Sequence, residues 1–390
     1  MMQRRSPSSA GGAGDEASLS VFASERIDRI RSEGHGWVLP GGEIRLPKVF
    51  GFCRGVKQAL AMLQKALAAH AGHGGHLFLL GQIIHNPWVN SYFQDRGVRI
   101  LSREQIEQLE RHIGPDDCAV IPAFGVELPI ERRLRAIGCH IVDTSCGDVR
   151  RVWRWAERAV EDGYGVLIFG RANHDETVVT KSRLVALGGR YLVVGDMDQT
   201  RRFCDLLTGT EGPDSFREHF GAEVTNAETI EPFHRLAQVS QTTMLYDETL
   251  AVRERIRQAY AERFGPAGPG ERLLSQPTVC RATQARQAAA VELCRAGCDL
   301  AVVVGGFGSS NTRHLVELAG SYAPAWFIED ARAIRSASEI ETVDLPAGRP
   351  YVAADWLPTR RPLRIAVLAG ASSPEIVVGQ VVERLGEFLT

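Results

Sequence analysis

Three of the eight cysteines stand where an apolar run ends and a helix opens: Cys53 after KVFGF, Cys146 after HIVDTS and Cys280 after LLSQPTV. A helix N-terminus lowers the pKa of a thiol and favours the thiolate, the form that binds metal. One such cysteine is commonly a packing residue. Three in the same setting, one in each third of the chain, point to a shared metal centre, and they are too far apart in sequence for a local zinc knuckle. The other five read as small hydrophobes. Cys118, Cys139 and Cys298 lead into or lie on apolar strands, and Cys204 and Cys294 sit in amphipathic helices. The Cys294 to Cys298 spacing is a weak metal signal.

Five polar clusters follow apolar runs: His85-Asn86-Pro87, Asn173-His174-Asp175-Glu176, Gln241-Thr242-Thr243, Ser309-Ser310-Asn311 and Ser372-Ser373-Pro374. Gly305, Gly306 and Gly308 ahead of Ser309 permit a tight turn that leaves N–H groups and hydroxyls at a helix start, an arrangement suited to phosphate oxygens. Ordinary capping is the alternative. Ser309 and Ser372 both fit N-caps, with Pro374 in the first helical turn. A cap needs one such residue, and Ser-Ser-Asn offers three, which favours a ligand. Glu176 near His174 could be tuned for proton transfer by burial, or could be an exposed helix-start carboxylate. His85 and His174 could equally be satisfied loop histidines. GGFG is not the dinucleotide fingerprint and no Walker A sequence occurs, so a nucleotide site is poorly supported. His70, His73 and His76 in HAGHGGH read as a solvated turn.

These side chains need elements to position them. From Leu46 on, β-branched runs (KVF, HLFLLG, CAVIPAF, HIVD, GVLIFG, YLVVG, AQVSQTT, DLAVVVGG, AWFIED, RIAVLAG) alternate with amphipathic stretches. The helices include GVKQALAMLQKALAAH, RVWRWAERAVEDG, DETLAVRERIRQAYAERFG and PEIVVGQVVERL. That order predicts parallel sheets covered on both faces, with ligands where strand ends meet helix starts. The expected divisions are a disordered tail over 1–35, an α/β domain over 36–145 holding Cys53, a second over 146–276 holding Cys146, and a third over 277–390 holding Cys280. The second carries a loose insertion at 207–235, PAGPGE at 266–271 reads as a linker, and the C-terminal segment closes the site.

The 45 Lys and Arg nearly balance the 47 Asp and Glu, for a formal net charge of −2. This removes the broad attraction that nonspecific nucleic-acid binding needs but permits a small anionic ligand. No apolar run approaches the roughly 18 residues of a membrane span, and the first residues lack the apolar core of a signal peptide. The expectation is a cytoplasmic protein without nucleic-acid or membrane partners. A reducing compartment also suits eight scattered cysteines better than a disulfide framework does.

Taken in order, GFCRGV, IIHNPWVN, PAFG, VDTSC, NHDET, SQTTML, CRATQARQ, GGFGSSNTRHLVELA and AGASSPEIVV resemble the LytB/IspH family of 4-hydroxy-3-methylbut-2-enyl diphosphate reductases, from about Lys48 to Leu385. The combination is specific, though no single segment is. The resemblance implies three pseudo-threefold-related α/β domains around a central [4Fe–4S] cluster held by Cys53, Cys146 and Cys280. Three thiolates leave one iron open, which takes the substrate's allylic oxygen as a Lewis acid; two electrons enter, the C–O bond breaks, and protonation of an allyl intermediate yields isopentenyl or dimethylallyl diphosphate. It also implies Glu176 as proton source with Thr242 and His174 beside it. His85, His174, Ser309, Asn311 and Ser372 form the diphosphate cradle, with Thr243 and Ser310 supporting. Ferredoxin or flavodoxin is the expected donor, because no flavin or nicotinamide motif is visible.

Two departures stand out. Many bacterial members carry His where this chain has Phe124, whereas the branch typical of plants and cyanobacteria shows PAFG and a comparable insertion, so the chain looks closest to that branch. The family usually has Pro after its second cysteine, and this chain has Gly147-Asp148. Two other readings remain open: a noncatalytic cluster-bearing redox sensor, which has no need of Glu176 and Thr242, and another three-domain [4Fe–4S] dehydratase, which does not predict HNP, QTT and SSN in this order.

Overall fold

Short β-branched runs separated by amphipathic helices build three largely parallel sheets in this computed structural model, which describes residues 19–70 and 74–390. Strands β1 (Gly36–Leu39) and β2 (Gly42–Arg45) form an antiparallel hairpin. The first sheet then takes β3 (Leu77–Leu80), β4 (Arg99–Leu101), β5 (Cys118–Ile121) and β6 (His140–Asp143), in the order β4-β3-β5-β6. The second takes β7 (Gly165–Phe169), β8 (Tyr191–Val194), β9 (Leu236–Ser240) and β10 (Leu273–Ser275), in the order β10-β9-β7-β8. The third contains β11 (Leu300–Val304) and β12 (Ala325–Ile328); β13 (Glu339–Asp344) and β14 (Arg349–Ala354) form a separate hairpin, and β15 (Leu363–Ala369) returns to give β1-β2-β15-β11-β12.

Numbered within each repeat, the first two sheets share the order second, first, third, fourth. The third sheet reproduces it only by borrowing β2, which lies parallel to β15 with Ile44 opposite Ile365, as its fourth strand. Each fourth strand then leads to the next cysteine: β6 to Cys146, β10 to Cys280, and β2 to Cys53. The fold is therefore the expected set of three pseudo-threefold-related α/β units. The strands run through the core without alternation, as sheets covered on both faces do; Leu300, Ala301, Val302, Val303 and Val304 are all buried.

Several sequence expectations need correction. The tail expected over 1–35 is helical over Glu25–Ser32, capped by Ser24, and Phe22, Ile27 and Ile30 are buried; the apolar pair Ile27 and Ile30, three apart, packs with Val377, Val378 and Val381. Residues 1–18 lie outside the described residues, as does His73 of the HAGHGGH segment. The hairpin at 36–45 belongs to the third sheet and not to the Cys53 unit. KVF is not a strand, because Pro47 removes a ladder donor and the chain turns there. PAGPGE is not an open linker, since Gly268–Arg272 is a short helix. The 207–235 insertion is ordered around the fully buried Phe216, Phe220 and Phe233, which extend the second core. Pro374 is the residue before the last helix (Glu375–Gly386), not part of its first turn.

Candidate active site

Each of the three cysteines opens a helix whose apolar spacing fixes its orientation. The Cys53 helix (Arg54–His70) buries Val56, Ala59, Leu60, Leu63 and Ala66, and the Cys146 helix (Gly147–Glu161) buries Val149, Val152, Trp153, Ala156 and Ala159. The Cys280 helix (Arg281–Arg295) buries Thr283, Arg286, Gln287, Ala290 and Leu293. With those faces packed on their sheets, the three N-termini meet. The site of a Cβ on Gly55 lies 2.6 Å from Cys146 Sγ and 3.8 Å from Cys53 Sγ, so two sulfurs flank one glycine that has no room for a side chain. Charge on Cys53 is also felt at Cys280.

Helix N–H groups point at all three sulfurs: Val56 N donates to Cys53 Sγ at 3.4 Å, Thr283 N to Cys280 Sγ at 3.3 Å, and the N–H groups of Asp148 and Val149 to Cys146. Burial nevertheless pushes the Cys280 thiol up to about 11 and raises that of Cys146. Without a bound cation these groups hold their protons. Among the described residues no three His, Cys, Asp or Glu side chains are close enough to share one metal ion.

Beside the thiols stands a buried acid. Glu176 lies one residue inside the helix Asp175–Ala186, and its carboxylate accepts from Thr242 N at 2.8 Å and Thr242 Oγ1 at 2.8 Å. Burial raises its pKa to about 7 against those two hydrogen bonds, and the Asp148 charge adds to the rise. The exposed helix-start alternative is excluded, since Glu176 is 3 % exposed. His174 caps this helix, with Nδ1 accepting from Glu176 N at 3.3 Å. Its burial, then the neighbouring His85, Arg171 and His314, push its pKa down to about 3. With Nδ1 an acceptor, the ring hydrogen sits on Nε2.

His85 stacks on Phe124 with ring centroids 4.9 Å apart and planes 4° from parallel, and meets His174 edge-on at 5.5 Å. Burial lowers its pKa while Asp175, with Oδ2 3.5 Å from Nε2, works the other way. That Nε2 is buried and makes no hydrogen bond among the described residues. Such an orphan is costly unless a ligand satisfies it. Phe124 thus holds His85 flat, a contact worth about 1 kcal/mol.

The remaining polar cluster joins the three units. Ser309 caps the helix Ser310–Gly320, accepting from Thr312 N at 3.3 Å. Ser372 Oγ donates to Ser309 Oγ and to the His85 carbonyl, each at 3.4 Å. Gln241 Nε2 donates to Thr243 Oγ1 at 2.6 Å and to Ser310 Oγ at 3.2 Å, while its Oε1 accepts from Arg171 N at 3.1 Å. Asn311 Oδ1 accepts from Ala371 N at 2.9 Å; its Nδ2 donates to Thr283 Oγ1 at 3.4 Å, and that hydroxyl lies 3.1 Å from Cys280 Sγ. Ser309, Ser310, Asn311 and Ser372 are all buried, which capping alone does not require.

Contacts and charge interactions therefore link Cys53, Cys146, Cys280, Glu176, Thr242, Thr243, His85, His174, Ser309, Ser310, Asn311 and Ser372, whereas Cys294 and Cys298 lie in a separate core cluster. Gln241 as a bridge, Thr283, Arg286, the Phe124 stack and His314, whose Nδ1 lies 2.7 Å from the Thr243 carbonyl oxygen, were not singled out. The polar QTT and RATQ runs carried a signal for the first two. A cavity of about 1000 Å³ lies outside this cluster, between Phe22 and the Cys53 helix, and its walls include Phe52, Arg54, Lys57 and Lys65. No helix among the described residues is long and apolar enough to cross a membrane.

Comparison with known proteins bears on this arrangement. The family model described as LytB protein matches residues 44–386. A 4-hydroxy-3-methylbut-2-enyl diphosphate reductase of a Synechococcus strain is 34% identical over 374 residues, covering 94% of this chain and 90% of the relative. The enzyme of that name from Gloeobacter violaceus is 34% identical over 376 residues, covering 94% and 88%. Among solved structures, the E-1-hydroxy-2-methyl-but-2-enyl-4-diphosphate reductase from Plasmodium falciparum superposes with a TM-score of 0.63 at 20% identity, covering 87% of this chain and 86% of that one. A structure described as (E)-4-hydroxy-3-methyl-but-2-enyl diphosphate reductase, the terminal enzyme of the non-mevalonate pathway, gives 0.53 at 23% identity, covering 88% and 99%. The two solved structures speak to fold alone, and the two sequence relatives named are cyanobacterial, in line with the branch expected from the sequence.

Proposed function

This chain belongs to the LytB family, and from that premise we infer that it reductively removes the allylic hydroxyl of 4-hydroxy-3-methylbut-2-enyl diphosphate, giving isopentenyl and dimethylallyl diphosphate. The observation that carries the reading is the hydrogen-bonded path from Cys280 Sγ through Thr283 to Asn311, which joins the thiol trio to the polar cradle beside a protonatable Glu176.

Cys53, Cys146 and Cys280 would hold the [4Fe–4S] cluster. Three soft sulfur donors, each met by helix N–H groups, suit an anionic cluster, and a multi-atom group asks for wider ligand spacing than a single ion does. When bound, the cluster supplies electrons one at a time and Lewis acidity at an iron without a protein ligand.

The chain's own residues do the rest. Replacing hydroxyl by hydrogen consumes two electrons and two protons and releases water. Glu176, at about 7, holds a proton at neutral pH and can release it within the same range, with Thr242 Oγ1 fixed on its carboxyl to orient the exchange. His174 Nε2–H, His85 Nε2 and the hydroxyl and amide groups of Ser309, Asn311 and Ser372 bind the diphosphate. Thr243 and Ser310 are held in place by Gln241. Burial lowers the pKa of both histidines in the ligand-free fold, and the negative charge of a bound diphosphate would work against that lowering. A one-electron carrier of ferredoxin or flavodoxin type supplies the electrons, and the cleft lined by Arg54, Lys57 and Lys65 offers an anionic carrier an approach beside Cys53.

Anaerobic purification with iron and sulfide analysis, then turnover of the diphosphate with reduced viologen, tests the reading. A protein with a full cluster and no turnover would remove it and favour the redox sensor. Glu176→Gln is expected to keep the cluster and lose most turnover.

A further inference from the structure

A buried guanidinium stands beside the thiols with no part in the chemistry above. Arg286 is 5 % exposed and sits in the second turn of the Cys280 helix. Its Nε and Nη2 both donate to the Gly51 carbonyl, at 3.1 and 2.6 Å, and its Nη1 donates to the Ala282 carbonyl at 2.9 Å. All three bonds go to neutral carbonyl oxygens. Burial disfavours its charge, and among the described residues the ionisable groups that act on it are Cys53 and Cys280, both of which favour that charge.

An arginine keeps its proton even when buried, and a buried cation without a counter-charge is destabilising. The fork onto Gly51 spans the molecule. Gly51, at φ 69°, lies two residues before Cys53 in the first unit, and Arg286 is six residues past Cys280 in the third. One side chain thus fixes the loop that presents one sulfur relative to the helix that presents another, and brings a permanent positive charge to both.

We propose that Arg286 is a positioning residue for the cluster, clamping the Gly51–Cys53 loop to the Cys280 helix and serving as the fixed counter-charge that favours the reduced state. This rests on the reading that the three cysteines hold a [4Fe–4S] cluster. A 2+ core with three thiolates carries one negative charge, and taking one electron to the 1+ core makes it two. A fixed cation in a low-dielectric site stabilises the second state more than the first. The guanidinium supplies two separable properties, charge and a planar fork, and lysine keeps only the charge.

The test uses the anaerobically purified holoenzyme, its Arg286→Gln and its Arg286→Lys variants. Iron and sulfide content, circular dichroism, the midpoint potential by dithionite titration, and the rate of iron loss to a chelator are measured. Arg286→Gln is expected to make one-electron reduction at least tenfold less favourable, which is 59 mV for a one-electron couple. Arg286→Lys is expected to hold the potential within threefold in that equilibrium while releasing iron at least fivefold faster. Loss of the cluster from Arg286→Gln with retention in Arg286→Lys also supports the proposal. A loaded Arg286→Gln protein at the wild-type potential would overturn it, as would loss of both helical content and cluster from both variants, which makes Arg286 a packing residue. A wild-type protein that binds no iron and sulfide overturns instead the reading on which the proposal stands, so the two failures are distinct.

Discussion

Replacing Glu176 by Gln tests the buried acid without reference to turnover. In the folded chain its pKa is raised from 4.5 to about 7, chiefly by burial. Raised in the folded state, the acid leaves stability intact while both states are protonated, below about pH 4. Stability then falls as the unfolded chain ionises and the buried carboxyl resists, and the loss is complete above about pH 7. At 1.36 kcal/mol per pKa unit, the full loss is ~3 kcal/mol. Gln is nearly isosteric. Its Oε1 can accept from Thr242 N–H and its Nε2 can donate to Thr242 Oγ1, so both contacts survive. The expected outcome is that urea unfolding of the wild-type chain between about pH 4.5 and pH 8 shows ~3 kcal/mol more loss than the Gln variant prepared alike. Taking the difference between the two proteins removes every other titrating group. Parallel pH profiles would refute the argument, because they would mean that Glu176 ionises as freely inside the fold as outside it.

Three further outcomes follow from the same geometry. Cys280→Ser should abolish retention of iron and sulfide while leaving the circular dichroism of the fold unchanged, because a hydroxyl is a poor ligand for a soft cluster. Gly55→Ala places a methyl group 2.6 Å from Cys146 Sγ and should cut iron incorporation severely, read by metal analysis after anaerobic reconstitution. His85→Phe keeps the stack on Phe124 but removes the orphan Nε2, so inorganic pyrophosphate should bind about 10- to 100-fold more weakly, the range of one hydrogen bond to a charged group, with iron content unchanged. Titration calorimetry reads that change directly.

Local chemistry explains what could be read from the chain. Cys53, Cys146 and Cys280 were legible because a strand-to-helix turn is a short-range pattern, and Ser309-Ser310-Asn311 because three capping residues exceed the need of one helix. Glu176 was ambiguous, since burial at a helix start depends on what covers it, here Thr242 after a neighbouring strand of the same sheet, 66 residues away. Arg286 could not be read at all: its acceptor lies 235 residues away, and nothing in QARQ distinguishes a solvated arginine from a buried one. The hairpin at 36–45 did carry a local signal, WVL and EIR about Pro40-Gly41-Gly42. Its partner strand β15 is near the opposite end, so its assignment to the third sheet was a matter of topology, not pattern. KVF failed because Pro47 precedes it and the chain turns at Lys48 and Val49, which two strand-forming residues cannot offset.

Because β2 fills the fourth position of the third sheet, the last repeat cannot be completed from its own sequence. A ribosome makes β2 long before β15 exists, so the hairpin of β1 and β2 keeps one edge open until that late strand arrives. The ring of three closes only when β2 and β15, far apart in sequence, find each other, near where Gly41 N–H also meets the Leu389 carbonyl at 2.7 Å. A chain cut before β15 would lack the neighbour that steadies the β2 edge, and with it the approach to Cys53.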